Sequence, residues 1–270
     1  MLGEIRVQDS MFPHHRHPLT PPMTIDLIHK AVADYEARHG ISNFHIAAAL
    51  IDMDGVLYDS MKYHTLAWHR MISEQGIECT REEFYLYEGM TGKATINLLF
   101  ERVYGRSASD EEVQTLYEQK AKYFVEIGRK EMMPGATQML RVLMDHDITR
   151  VLVTGSAQNS LIRYIDEDYP GAFDPQRRIT ALDVKRGKPD PEPYLMGLQK
   201  AATPHTSTIV IENAPLGVES GHAAGCFTIG ITTGPIPAEE LKKAGADLVF
   251  DSMQDFADTL PLILDITASR

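Results

Sequence analysis

The sequence predicts an α/β protein, in which a three-layer, doubly wound parallel sheet carries an inserted α-helical cap domain. Short apolar runs alternate with amphipathic stretches along most of the chain. This alternation is typical of a parallel sheet that helices cover on both faces. One long interval, between residues 59 and 133, shows only helical patterns and follows the first of these apolar runs. Such an interval indicates a helical domain inserted into the sheet domain.

Two segments precede this alternation. Residues 1–22 contain four prolines and three clustered histidines without periodicity, and they predict a disordered arm. From Thr24 to His39 apolar residues recur near a helical period, and Gly40 follows. This pattern predicts an N-terminal helix within residues 23–44.

The predicted strands are apolar runs rich in branched and aromatic residues. They lie at residues 46–51, 149–154, 207–212, 226–231 and 247–250. Helices of the sheet domain are predicted at residues 135–146, 157–168, 191–202, 215–224, 237–244 and 252–264. Helices of the cap are predicted at Met61–Gln75, Arg81–Tyr87, Ala94–Tyr104 and Asp110–Gly128. The sheet domain is therefore expected to be discontinuous, with residues 45–58 and 132–270 on either side of a cap at residues 59–131.

Composition narrows the function classes. The 270 residues carry a net charge of −12, which argues against broad binding to nucleic acid or to an anionic membrane. The two cysteines, Cys79 and Cys226, give no disulfide framework and suit a reducing compartment. No apolar run reaches the length of a membrane span, and no signal peptide is evident. We therefore expect a cytoplasmic protein that is monomeric by default, with no partner protein implied.

Two acidic residues stand where the first predicted strand ends. Asp52 and Asp54 are two positions apart, so they lie on one face if the extended conformation continues. Two carboxylates at such close range repel each other. Either a cation or a proton must compensate them.

Polar side chains also follow or flank the other predicted strands. They are Thr154, Gly155 and Ser156 after the second strand, Lys188 before the helix at 191, and Glu212 and Asn213 after the third. Ligands of open α/β sheets bind beyond the carboxyl ends of the strands, so these groups are expected to converge. Carboxylates, a hydroxyl, a lysine and an amide at one sheet edge favour phosphoryl transfer with a hard metal ion.

Four segments carry a resemblance to a known family. The segments "DMDGVLYDS", "VTGS", "GKPDPEPY" and "IENAPLGVES" occur in this order, each at a predicted strand end or helix start. They resemble the four motifs of the haloacid dehalogenase superfamily, and the helical insert resembles the cap of its β-phosphoglucomutase-like subgroup. The resemblance covers about residues 45–265.

The resemblance implies a role for each motif residue. Asp52 would be the nucleophile that forms an aspartyl-phosphate, and Asp54 would be the general acid and base. Thr154, with the neighbouring Gly155 and Ser156, would hold the transferring phosphoryl group. Lys188 would neutralise charge between Asp52 and the phosphate.

The resemblance also implies a Mg²⁺ cofactor. The ion would bind Asp52, the substrate phosphate and the backbone carbonyl of Asp54. Asn213, with Glu212 nearby, would complete its ligands. Many relatives have an acidic residue in place of Asn213, so this difference bears on metal affinity or on the geometry of the groups that surround the ligands.

The cap is expected to read the leaving group of a small phosphorylated substrate. Mutases of the subgroup carry a lysine and an arginine where this chain has Glu88 and Gly92, which counts against a mutase. The turn "YEGMTG", with "YHTLAWH" and "YEQK", resembles members that hydrolyse inorganic pyrophosphate. On that resemblance His64 and Lys120 would hold the leaving phosphate, and Glu88 could reach the metal. Thr91 would bind phosphate or only cap the next helix.

The leading hypothesis is therefore a Mg²⁺-dependent inorganic pyrophosphatase that works through an aspartyl-phosphate. A β-phosphoglucomutase and a small sugar-phosphate phosphatase are the alternatives within the same chemistry. An alternative of another class is a catalytically silent phosphate-binding protein, because a fold by itself does not prove activity.

Overall fold

A computed structural model describes residues 23–127, 131–157 and 159–268 of the chain. The predicted arm at residues 1–22 lies outside these residues. No helix of the described part of the chain is long and apolar enough to cross a membrane.

The described residues form one parallel sheet of six strands. The strands are β1 (Ala48–Ile51), β2 (Thr149–Val153), β3 (Arg178–Ile179), β4 (Thr208–Glu212), β5 (Phe227–Ile231) and β6 (Leu248–Phe250). Their order across the sheet is β3-β2-β1-β4-β5-β6, and every neighbouring pair is parallel. β1 therefore lies in the middle of the sheet, flanked by β2 and β4. All five predicted strands are present, and the two-residue edge strand β3 was not predicted.

Eleven helices accompany the sheet in the described residues. Those of the sheet domain are α1 (Ile25–His39), α6 (Ala136–Asp145), α7 (Asn159–Asp168), α8 (Glu192–Ala201), α9 (Pro215–Ala223), α10 (Ala238–Lys243) and α11 (Met253–Ala268). Those of the insert are α2 (Met61–Ser73), α3 (Glu83–Leu86), α4 (Gly92–Tyr104) and α5 (Asp110–Ile127). Every predicted helix is present, with ends that differ by a few residues.

Alternation along β1 divides the core of the sheet domain into two layers. Ala49 and Ile51 pack into a large apolar cluster on one face, while Ala48 and Leu50 pack into a second cluster on the other. All four are completely buried, as expected for a central strand that helices cover on both sides. The predicted three-layer α/β fold is therefore confirmed.

The N-terminal helix α1 belongs to the first of these layers. Thr24 caps its start by accepting a hydrogen bond from the Leu27 N–H, and Gly40 ends it in the left-handed conformation. Tyr35 on its buried face donates its hydroxyl to the carbonyl oxygen of His205 or of Gly225, each at 2.9 Å. These contacts fix α1 against the sheet domain.

The four helices of the insert have an apolar cluster of their own, built around Met71, Ile96 and Leu99. The chain enters and leaves this insert side by side. The Asp59 N–H donates to the Glu131 carbonyl at 3.0 Å, and Lys62 Nζ lies 2.6 Å from a carboxylate oxygen of each of these residues. The two chain segments that join the insert to the sheet domain, at Asp59 and at Glu131, are thus held together by a hydrogen bond and by Lys62.

Candidate active site

Asp52 begins the site, because it follows β1 at the centre of the sheet. Its Oδ1 lies 2.5 Å from Lys188 Nζ, and the same Nζ lies 2.5 Å from Glu212 Oε1 at the end of β4. All three side chains are buried. Burial alone would lower the pKa of Lys188, but the Asp52 and Glu212 carboxylates outweigh it and raise that pKa. Lys188 is therefore a cation held between two acids.

Glu212 has further donors around it. Its Oε1 also accepts the Tyr194 hydroxyl at 2.7 Å, and its Oε2 accepts the Asn213 N–H at 3.0 Å. Gly217, in the first turn of α9, lies so close to this carboxylate that a Cβ at residue 217 would be 2.0 Å from it. These contacts orient Glu212 toward Lys188. Both Glu212 carboxylate oxygens thus accept hydrogen bonds from the protein, and the role of Glu212 beside the metal stays a prediction.

Asp54 is turned toward the cap. Its Oδ1 accepts a 2.5 Å hydrogen bond from Ser60 and lies 3.1 Å from His64 Nε2 on α2. His64 Nδ1 in turn lies 2.7 Å from Lys120 Nζ on α5, and the Phe124 ring stacks on the imidazole at 4.0 Å. The structure therefore joins one acid of the sheet domain to two basic groups of the cap.

These contacts shift the pKa values of the groups in the chain. Burial raises the pKa of Asp54, but the charge and hydrogen bond of His64 and the hydrogen bond of Ser60 lower it below its ordinary value. Burial lowers the pKa of Lys120 to about 7. Burial and the Lys120 charge also lower the pKa of His64. The pKa values of all three groups in this chain of contacts are thus lowered.

The turn before α4 meets the sheet domain on the other side of the site. Glu88 is buried, and its Oε1 accepts a hydrogen bond from Asn213 Nδ2 at 2.8 Å. The Asn213 side chain lies against Gly55, where a Cβ would be 2.0 Å from Nδ2. Gly55 also has a φ of +81°, so glycine suits both its backbone conformation and the space.

Two further glycines let the same turn approach the loops of the sheet domain. A Cβ at Gly155 would lie 2.8 Å from the Gly89 carbonyl oxygen, and a Cβ at Gly187 would lie 2.8 Å from Thr91 Cγ2. Gly155 belongs to the loop after β2, and Gly187 precedes Lys188. Cap and sheet domain therefore meet here along a seam, which we call the glycine seam and define by Gly155 and Gly187.

The loop after β2 presents the predicted phosphate-binding residues. Thr154 Oγ1 accepts the Ser156 N–H at 3.0 Å. Thr91, by contrast, caps α4 by accepting the Ala94 N–H at 3.2 Å. The helix-cap alternative for Thr91 is thus the one that the geometry supports.

A cavity of about 70 Å³ lies between the cap and the sheet edge. The predicted residues that line it are Asp52, Asp54, His64, Glu88, Gly92, Lys120, Thr154, Gly155 and Ser156. Lys188, Glu212 and Asn213 are buried behind this lining, and Thr91 is outside it. Trp68 and Tyr117 also line the cavity, and sequence reasoning did not assign them to the site. For Tyr117 the sequence did carry a signal. It lies one helical turn before Lys120 on α5, so both side chains are on the same face of the helix.

The donor set fits a hard cation such as Mg²⁺. Asp52, Asp54 and Glu88 converge as oxygen donors, and Asn213 Oδ1 is buried with no hydrogen-bond partner among the residues that the structure describes. Burial raises the pKa of Glu88 well above its ordinary value, and the nearby carboxylates raise it further. A cation among these acids would compensate their charge. Within the described residues no group of three or more His, Cys, Asp or Glu side chains is already arranged as a metal cluster. The fit therefore rests on the mixed carboxylate and amide donors.

Comparisons with known proteins agree with this geometry. A family model for haloacid dehalogenase-like hydrolases matches residues 49–231. Hexitol phosphatase A of Escherichia coli is 32% identical over 78% of this chain and 93% of its own length. The β-phosphoglucomutase of Bacillus subtilis is 24% identical over 80% of this chain and 93% of its own.

A solved structure from Bacteroides vulgatus, described provisionally as a β-phosphoglucomutase, is 39% identical. It covers 92% of this chain and 100% of its own, with a TM-score of 0.87. These relatives are named for phosphorylated hexitols and sugars, so the expected closeness to pyrophosphatases is not supported. The chain belongs to the haloacid dehalogenase-like hydrolases, in their β-phosphoglucomutase-like subgroup.

Proposed function

We propose that this protein is a Mg²⁺-dependent phosphohydrolase that forms an aspartyl-phosphate on Asp52, with small sugar phosphates as its first candidate substrates. One observation carries the proposal. Asp52 is paired with the buried cation Lys188, while Asp54 is paired separately with His64 of the cap. The two acids thus have different environments, as a nucleophile and a proton-transfer group need.

The chain's own residues supply most of the mechanism. Asp52 attacks phosphorus, and Lys188 offsets the negative charge that builds up between carboxylate and phosphate. Thr154 and the adjoining loop hold the phosphoryl oxygens. Asp54 must carry a proton in the first step, which it gives to the leaving oxygen. As the resulting carboxylate, it then takes a proton from the water that hydrolyses the intermediate. Cap closure over the cavity excludes other water during these steps.

A bound Mg²⁺ would neutralise charge on Asp52 and on the phosphoryl oxygens. Asp52, the Asp54 backbone carbonyl and Asn213 Oδ1 are the groups that we propose hold it. Glu88 would join them directly or through water when the cap is closed. Glu212 is left out of this set because its oxygens accept other hydrogen bonds.

The comparisons support sugar phosphates as the substrate class. Hexitol phosphatase A covers most of this chain, and the Thermotoga maritima relative, 26% identical over 74% of the chain, is named a phosphorylated carbohydrates phosphatase. Substrates of that kind share a phosphate monoester on a small polyol or sugar. We carry that class over to this chain as a proposal.

Pyrophosphate is a second candidate because the cavity is small. Its volume of about 70 Å³ is several-fold below the roughly 300–1,000 Å³ of typical small-molecule pockets. His64 and Lys120 line it from the cap and would face a leaving phosphate. A mutase additionally needs a grip for a distal phosphate, and Gly92 has no side chain to provide one.

The test is phosphate release with Mg²⁺ from a substrate panel, with the Asp52→Asn variant as control. The panel contains a hexitol 6-phosphate, β-glucose 1-phosphate, glycerol 1-phosphate and pyrophosphate, and glucose 6-phosphate formation is followed in parallel. A kcat/KM that is highest for a sugar or hexitol phosphate supports the first proposal. A preference for pyrophosphate favours the second candidate, and glucose 6-phosphate formation without phosphate release indicates a mutase. Release from no substrate at any Mg²⁺ concentration contradicts a phosphohydrolase.

A further inference from the structure

Tyr117 on α5 connects the cap to the loop after β2. Its hydroxyl oxygen accepts the Ala157 N–H at 3.2 Å and is also hydrogen-bonded to the Ser156 side chain. Both partners belong to the sheet domain, in the loop that begins with Thr154. The ring lines the cavity on the same side as Lys120, whose Nζ lies 5.9 Å from the ring centroid. One cap side chain therefore contacts both the cavity and the proposed phosphate-binding loop.

The Tyr117 ring also fills the space next to Gly92. A Cβ at residue 92 would lie 2.2 Å from both Cδ2 and Cε2 of the ring, much closer than atoms can approach. Two contacts restrict movement of the ring. Its hydroxyl is hydrogen-bonded to the loop after β2, and the centroid of the Trp68 ring on α2 lies 6.2 Å from the centroid of the Tyr117 ring. Gly92 and Tyr117 therefore form a small-and-large pair, in which the ring takes the volume that a side chain at 92 would need.

This pair lines the cavity at its cap side. Asp52 and Thr154 bound the cavity from the sheet domain, so a phosphoryl group at Asp52 directs its leaving group toward the cap. The cap groups that line the cavity include the Tyr117 ring and the bases His64 and Lys120, with Trp68, Phe84 and Tyr87 among the others. A leaving group that displaced the ring would break the hydroxyl contact to Ala157.

We propose that Tyr117 is a specificity-determining residue: its ring limits the size of the leaving group, and its hydroxyl holds that wall in place by binding the phosphate loop. The inference rests on the proposed function, because it concerns which leaving groups the closed site accepts. The inference gives the ring and the hydroxyl of Tyr117 separate roles. The ring governs selectivity by size, and the hydroxyl governs how firmly the cap closes.

Two variants separate these roles. Tyr117→Ala removes the wall, and we expect the ratio of kcat/KM for a hexitol 6-phosphate to that for glycerol 1-phosphate to rise by about tenfold, the scale of discrimination by apolar pocket volume. Tyr117→Phe keeps the wall and loses the hydroxyl, so the ratio stays within about twofold while KM rises for both substrates, because closure is weaker. Tyr123→Phe, also on α5, is the control, since it removes a hydroxyl that binds Glu74 at the end of α2, away from the cavity.

An unchanged ratio in Tyr117→Ala, with the wild type active on both substrates, overturns the inference. If Tyr117→Ala does not fold, Tyr117→Leu provides the same measurement with apolar packing retained. A second readout does not depend on activity. Gly92→Ala is expected to lower the thermal unfolding midpoint, and combining it with Tyr117→Ala is expected to recover most of that loss. Additive losses in the double variant also overturn the inference, whereas an inactive wild type with a recovering double variant contradicts only the proposed function.

Discussion

Asn213 donates its amide N–H to the Glu88 carboxylate across the boundary between cap and sheet domain, at 2.8 Å. The other end of the same amide, Oδ1, is buried and has no hydrogen-bond partner among the described residues. An unsatisfied buried oxygen beside several carboxylates is an arrangement that a cation would complete. This pair therefore connects cap closure with the proposed Mg²⁺ site.

The Asn213→Asp variant is expected to bind Mg²⁺ more tightly and to be less stable without it. The new carboxylate would face Glu88, so like charges repel in the metal-free protein, while the ion gains a charged ligand. Thermal unfolding measured over a Mg²⁺ titration, without substrate, should show a lower starting midpoint and a larger rise. Asn213→Leu serves as the control without a ligand oxygen. An equal Mg²⁺ response in wild type and Asn213→Asp would remove residue 213 from the metal site.

The Asp52→Asn variant is expected to lose activity by at least about 10³-fold, because an amide is not a nucleophile toward phosphorus. Its fold should persist, since the asparagine still accepts the Lys188 N–H. Steady-state phosphate release measures the loss, and circular dichroism checks the fold. A rate close to that of the wild type would be incompatible with the covalent intermediate.

The Lys188→Met variant is expected to be strongly destabilised as well as inactive. Removing the cation leaves Asp52 and Glu212 buried without compensation, and breaking a buried ion pair costs about 3–5 kcal/mol. Urea unfolding measures this loss. Adding Glu212→Gln removes one of the two charges, so the double variant should regain part of the stability but none of the activity. A single variant as stable as the wild type would show that Lys188 does not balance these acids.

The pH dependence of stability is expected to report Lys120. Burial lowers its pKa from 10.5 to about 7 in the folded protein, so between these values the unfolded chain binds a proton that the folded chain does not. The free energy of unfolding therefore rises with pH across that window on account of this group. Lys120→Met removes the contribution. Urea unfolding from pH 7 to 9.5 should show the wild type gaining stability relative to the variant, and a constant difference would contradict a depressed pKa.

The sequence was sufficient to predict the position of those site residues that directly follow a strand. Asp52, Thr154 and Asn213 each directly follow a strand of the sheet, and the parallel order brings those strand ends to one edge. The alternation of apolar runs and helical stretches was sufficient to predict the succession of these strands and helices along the chain. Strand β3 was missed because two residues, Arg178 and Ile179, are too few to produce a pattern.

The cap contacts were harder to predict for a physical reason. Glu212 points its carboxylate toward Lys188 and Tyr194 because both donate hydrogen bonds to it, and these two residues lie elsewhere in the chain. Tyr117 gains its role only when α5 docks against the loop after β2. Such pairings arise from tertiary packing, and neither periodicity nor a local motif encodes them.

The glycine seam also bears on how the sequence of this enzyme can vary. Gly155 and Gly187 lie in loops, where an alanine is ordinarily among the mildest of substitutions. Here one added methyl group at either position would overlap the cap turn at 2.8 Å, at Gly89 or Thr91. A relative with a larger residue at either position must therefore place its cap turn differently against these loops.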